Sequence, residues 1–126
     1  MKLRLTHNSI RIRIQRSELA QLQEAHRIRE SVAFPAKTAF HFEISIHEGA
    51  EIKAAFEANT LTIKLPDSIA QPWFDTQQVG IETHLSLDGN DQLHLLLEKD
   101  FPCPDRPNED RSETFWELAD KPEPSC

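Results

Sequence analysis

The sequence predicts a mainly β domain (α+β): an antiparallel meander of about eight strands, curled into a barrel or folded sheet, with one short helix near residues 17–25. Three observations carry this. Apolar residues recur at every second position along most of the chain, the period of a half-buried strand. Short clusters rich in Asn, Gly, Asp and Ala separate these runs, as turns demand. Pairing across four of those turns sets apolar residues opposite apolar residues, and a one-residue slip would destroy that match.

The elements follow in order. Leu3 and Leu5 alternate with Lys2 and Arg4, and Ile10, Ile12 and Ile14 alternate with Arg11 and Arg13. A two-residue turn at His7-Asn8 pairs Leu5 with Ile10 and Leu3 with Ile12. Ser17 is placed to cap a helix whose apolar stripe is Leu19 and Leu22, and Ala20 stands where a capping box would have Glu or Gln. Ile28 to Phe34 alternates, then Phe40, Phe42, Ile44 and Ile46 against His41, Glu43, Ser45 and His47. A three-residue turn at 48–50 is expected to pair Ile46 with Ile52, and a turn at Ala58-Asn59 to pair Phe56 with Leu61. Pro66 to Trp73 is a connection with room for one helical turn. Val79, Ile81, Thr83, Leu85 and Leu87 face Leu93, Leu95 and Leu97 across a turn at 88–90.

Eight strands side by side span roughly 38 Å at about 4.8 Å each, and a helix about 10 Å wide cannot cover that apolar face. The sheet must curl, or pair with a second subunit as a homo-oligomer. No internal repeat is read in the sequence. Five of the eight prolines fall in 102–126. The expected organisation is therefore a β domain over 1–101 and a Pro-rich acidic tail over 102–126, its first part docked on the domain.

The chain has 126 residues and a net charge of −7, which argues against a nucleic-acid binder. No apolar run approaches the roughly 20 residues of a membrane span. The N-terminus enters a strand pattern at once with no signal-peptide core, so a cytoplasmic location is expected. The two cysteines, Cys103 and the terminal Cys126, read as reduced thiols. The charge is uneven: residues 1–17 carry Lys2, Arg4, Arg11, Arg13 and Arg16 with no acid, whereas residues 98–126 carry nine acids against four bases.

Both ends of the chain also carry a likeness. Met1-Lys-Leu-Arg-Leu-Thr-His-Asn-Ser-Ile-Arg-Ile-Arg-Ile and Glu98-Lys-Asp-Phe-Pro-Cys-Pro-Asp-Arg-Pro-Asn-Glu-Asp110 resemble the opening and closing signatures of a family of short bacterial proteins of unknown function. Val79-Gly80-Ile81 and Trp73 also match its pattern. The pattern closes with an Asn-Pro element, where this sequence has Phe115-Trp116-Glu117-Leu118. The resemblance implies no activity.

Three constellations carry chemistry. The hairpin register puts Arg4 opposite Arg11 and Lys2 opposite Arg13, and opposed like charges destabilise a strand pair unless neutralised. Salt bridges to Glu43, Glu98 or the tail would neutralise them, as would an anionic ligand or protein partner, for which arginine's bidentate geometry is suited. His84 and His94 lie directly opposite each other, and His41 and His47 share the polar face of another strand near Glu43 and Glu51; two imidazoles and a carboxylate are a ligand set for Zn²⁺ or Fe²⁺, but exposed histidines on a wet sheet face are the expected state. The sequence lacks HExxH, paired CxxC and a Gly-rich phosphate loop, so no metal and no cofactor is expected. Cys103 is flanked by Lys99 and Arg106, which lower a thiol's pKa. The expected function is a non-enzymatic binding or interaction module whose ligand site draws on Lys2, Arg4, Arg11, Arg13, Glu98, Cys103 and Arg106. The alternative is a small metal- or thiol-dependent enzyme using His84/His94 or Cys103.

Overall fold

A computed structural model describes residues 1–101 and 112–118. Its elements are β1 (Lys2–Thr6), β2 (Ser9–Ile14), α1 (Arg16–Ala25), β3 (Arg27–Phe34), β4 (Thr38–His47), β5 (Lys53–Glu57), β6 (Thr60–Pro66), α2 (Asp67–Asp75), β7 (Gly80–Ser86) and β8 (Gln92–Lys99). A single 3-10 turn follows at Trp116–Leu118. The mainly β class and the strand count agree with the sequence.

The strands divide between two units, 1–19 with 77–126 and 20–76. The first holds a four-stranded sheet in the order β1-β2-β8-β7, the second a sheet in the order β3-β4-β6-β5. Each sheet is two antiparallel hairpins joined through a central parallel pair, β2 with β8 and β4 with β6. The expected turns at His7-Asn8, Ala58-Asn59 and 88–90 form with Leu5 on Ile10, Phe56 on Leu61 and Leu85 on Leu93.

The expected pairing of Ile46 with Ile52 does not form. β4 instead lies beside β6, with Phe42 on Leu61, Ile44 on Ile63 and Ile46 on Leu65. Parity states which face a residue takes but not which neighbouring strand shares that face. The remaining hairpin, β3 with β4, turns at Ala36 and Lys37, both at positive φ.

Two helical details also differ. The connection after Pro66 is a full helix, α2, which buries Ala70 and Trp73 despite the internal Pro72. Pro66 leads into it with an extended backbone, φ −60° and ψ 139°. In α1 the cap is Gln15 rather than Ser17: the Leu19 N–H donates to the Gln15 carbonyl, and Glu18 accepts from the Gln15 N–H at 2.9 Å. That second bond is the returning half of a capping box, which the cap expected at Ser17 excludes and which forms two residues earlier.

The architecture repeats, which the sequence reading missed. Two successive hairpin–helix–hairpin segments, 2–47 and 53–99, have the same order of elements. Ser9-Ile-Arg-Ile-Arg-Ile14 matches Thr60-Leu-Thr-Ile-Lys-Leu65, and buried Leu19 and Leu22 match buried Ala70 and Trp73. The preceding residues, Asn8 and Asn59, both have positive φ, 48° and 58°. His94 donates its N–H to the Asn8 carbonyl at 2.9 Å, and His41 does the same to Asn59 at 2.9 Å. Each sheet takes one hairpin from each segment. The apolar faces then supply the cores. Ile10, Ile12, Ile14, Ile81, Leu95 and Leu97 are buried in one unit, and Ile28, Phe42, Ile44, Leu61, Ile63 and Leu65 in the other. Each such side chain contributes about 1.5–3 kcal/mol on burial.

Candidate functional site

The polar face of the β1-β2-β8-β7 sheet gathers the predicted basic residues. Its register gives three cross-strand rows: Thr6–Ser9–His94–His84, Arg4–Arg11–Leu96–Glu82 and Lys2–Arg13–Glu98–Gly80. Alternation delivers these side chains to one face because their apolar neighbours are committed to the core. Gly80 is required at the end of its row: a Cβ there would lie 2.5 Å from the Leu97 carbonyl oxygen.

Glu98 is the centre of the third row. Its Oε1 accepts from Arg11 Nε and Arg13 Nε, each at 2.6 Å. Asp100, just past β8, takes Lys2 at 3.0 Å and reaches Arg13 at 3.9 Å. The Glu98 and Asp100 side chains are only 8% and 3% exposed, so these are shielded pairs rather than surface ones. The Arg13 guanidinium also lies 4.9 Å from the centre of the Phe101 ring.

Arg4 stands apart. It is exposed and, among the described residues, makes no ion pair, although its register partner is Arg11. A depression of about 240 Å³ opens beside it, lined by Arg4, Thr6, Ser9, Arg11, His94 and Leu96. A second, of about 170 Å³, is lined by Lys2, Leu3, Arg4, Arg11 and Arg13.

The histidine pair forms as expected. The His84 and His94 rings stack with centroids 4.6 Å apart. His94 Nδ1 lies 3.3 Å from Ser9 Oγ, and its Nε2, shielded and without a hydrogen-bond partner among the described residues, is 3.6 Å from a Glu82 carboxylate oxygen. Among the described residues no group of three or more His, Cys, Asp or Glu side chains is arranged to hold a metal ion.

Several expectations need relocation. Glu43 does not serve the basic hairpin; it belongs to the other sheet and pairs with Arg27 and Arg29. Glu98, Asp100 and Phe101 lie against the basic face as expected, while Cys103, Arg106 and the rest of 102–111 lie outside the described residues. The described end of the tail docks on the start of α1. Arg16 N–H donates to the Glu113 carbonyl at 2.9 Å, Phe115 N–H to the Asp100 carbonyl at 2.7 Å, and Ser17 Oγ to the Glu113 carboxylate at 2.6 Å. Arg16 grips both Glu117 oxygens at 2.6 and 2.7 Å, and its guanidinium lies over Phe115. Burial raises the Glu117 pKa, but the Arg16 hydrogen bond, its own backbone N–H and the Arg16 and Lys99 charges together hold it below the usual 4.5. Sequence reasoning missed Asp100, Thr6, Ser9 and Leu96. The last three were legible from strand parity, since they share the face of Arg4 and Arg11.

The chain belongs to a family of unknown function (DUF7009), whose family model matches residues 1–118. Comparison with curated proteins and with solved structures finds no match. No helix among the described residues is long and apolar enough to cross a membrane.

Proposed function

We propose that this member of the family is a non-enzymatic binding module that takes an anionic group on the polar face of β1, β2 and β8. The supporting observation is Arg4. Four cations, Lys2, Arg4, Arg11 and Arg13, share the face, and Glu98 and Asp100 pair with the last two and with Lys2. Arg4 is left exposed across from Arg11, at the rim of a depression that also presents the Thr6 and Ser9 hydroxyls. An oxyanion held there receives charge-assisted hydrogen bonds and relieves the repulsion between two opposed guanidiniums.

The test follows the arginine Nε–H resonances while sulfate or succinate is added at constant ionic strength. Saturable shifts at Arg4 and Arg11 are expected with at least one of the two anions. Arg4→Ala should weaken that binding by about tenfold, the scale of one charge-assisted contact. Unsaturable shifts, or an Arg4→Ala protein that binds as the unaltered chain does, overturn the reading.

A further inference from the structure

We propose that a second copy of this chain pairs with it along the free edge of β7, joining two β1-β2-β8-β7 sheets into one. The inference is independent of the anion-binding reading. The edge strands of the two sheets are β1, β7, β3 and β5. β1 and β5 have five residues each, short enough to blunt an edge, whereas β7 has seven and β3 eight. The Lys99 N–H donates to the Val79 carbonyl at 2.9 Å, one step beyond the Gly80–Glu98 pair. The odd-numbered residues of β7 therefore bond β8, and Gly80, Glu82, His84 and Ser86 turn their main-chain N–H and C=O groups to the free edge. Among the described residues these outward groups have no partner, except that the Gly80 carbonyl takes the Gln78 side-chain amide at 2.9 Å and keeps a second lone pair.

The strand Gly80-Ile-Glu-Thr-His-Leu-Ser86 is complementary to itself about Thr83. Antiparallel pairing on a two-fold axis there sets Glu82 opposite His84, and Gly80 opposite Ser86, of the second copy. Each of these pairs exchanges two main-chain hydrogen bonds. On the polar face the Glu82 carboxylate, 57% exposed, meets an imidazole of the second copy, and the two-fold repeats that contact. On the apolar face Ile81 meets Leu85, and Thr83 meets its own copy. Leu87, 43% exposed just past the strand, comes opposite Val79. No like charges are opposed. The matching axis on β3 passes through Glu30, the counterpart of Thr83, and would set two carboxylates against each other. The edge of β7 therefore fits its own copy in a register that β3 excludes.

The test is sedimentation velocity on the full chain from about 1 µM to about 1 mM, the range of a weak interface between short strands. A shift from the mass of one chain to that of two is expected. His84→Glu, which opposes two pairs of carboxylates at an exposed position, should weaken association by about tenfold or more. Ser31→Glu, at the matching place on β3, should leave it within about twofold. Thr83→Cys, in a chain whose Cys103 and Cys126 are replaced by serine, should form a disulfide-linked dimer in air, because a residue on the axis meets its copy with Cβ atoms about 4.5–5.5 Å apart. That cross-link keeps the test valid if His84→Glu fails to fold. The mass of one chain at every concentration, undiminished association of a folded His84→Glu, an equal loss in Ser31→Glu, or no cross-link at Thr83→Cys overturns the proposal.

Discussion

The two sheets share one plan row for row and differ in how they treat charge. In the β3-β4-β6-β5 sheet, Glu43 meets Arg27 and Arg29, and Ser45 stands where the sister sheet has Glu98. In the β1-β2-β8-β7 sheet the cations crowd onto β1 and β2, and the carboxylates that meet them come from the end of β8. The apolar faces correspond position for position: Ile10 with Leu61, Ile12 with Ile63, Leu95 with Phe42, and Leu97 with Ile44, all buried. Volume and hydrophobicity constrain a core on every side. A polar face has only its own neighbours to satisfy, so charge can be redistributed across it without changing the fold.

The sharpest break of that comparison is in the helices. Trp73 and Leu22 occupy equivalent positions, both fully buried. Trp73→Ala is expected to cost about 3–5 kcal/mol and Leu22→Ala about 2–5 kcal/mol, read by urea denaturation. If one proves neutral, the two segments do not carry equivalent cores.

The polar faces should diverge next. Glu98→Ala removes the shielded carboxylate that Arg11 and Arg13 share, with side chains 18% and 15% exposed, and should cost roughly 3 kcal/mol. Its counterpart Ser45→Ala should stay within about 0.5 kcal/mol, as half-buried sites without a key partner do. Equal effects from the two would show that the carboxylate is not what holds the basic face.

The smallest expected effect is the acid response of the tail contact. Because the folded Glu117 pKa lies below the unfolded value, its pairing with Arg16 stabilises above the usual 4.5, and that stabilisation is lost as pH falls through the lower folded value. Glu117→Gln should therefore lower the melting temperature slightly near neutral pH and converge with the unaltered chain in acid. The gap should shrink with salt, since the Arg16 side chain is 46% exposed. A gap that persists in acid would assign the tail's docking to Phe115 and Leu118 instead.

Much of this was readable from residue order. Parity placed Leu3, Leu5, Ile10 and Ile12 in one hairpin and predicted the facing of Arg4 and Arg11, because a two-residue turn leaves a single register. The stacking of His84 on His94 followed from the same count. The repeat was legible too: Asn8-Ser-Ile-Arg-Ile-Arg-Ile and Asn59-Thr-Leu-Thr-Ile-Lys-Leu share their turn residue and apolar rhythm. It was obscured because the helices that follow share few identities and α2 carries a proline, Pro72, that a helical reading resists.

Residue order alone determined the alternating segments, the face each of their side chains takes, and three of the four hairpins it predicted, since alternation and turn chemistry act over a few residues. Only the tertiary structure decided that β4 joins β6 and β2 joins β8, because strands with matching apolar faces are interchangeable until long-range packing chooses among them. That choice set Leu96 beside Arg11 and Glu98 beside Arg13, and so placed the carboxylate of β8 in the row next to that of Arg4.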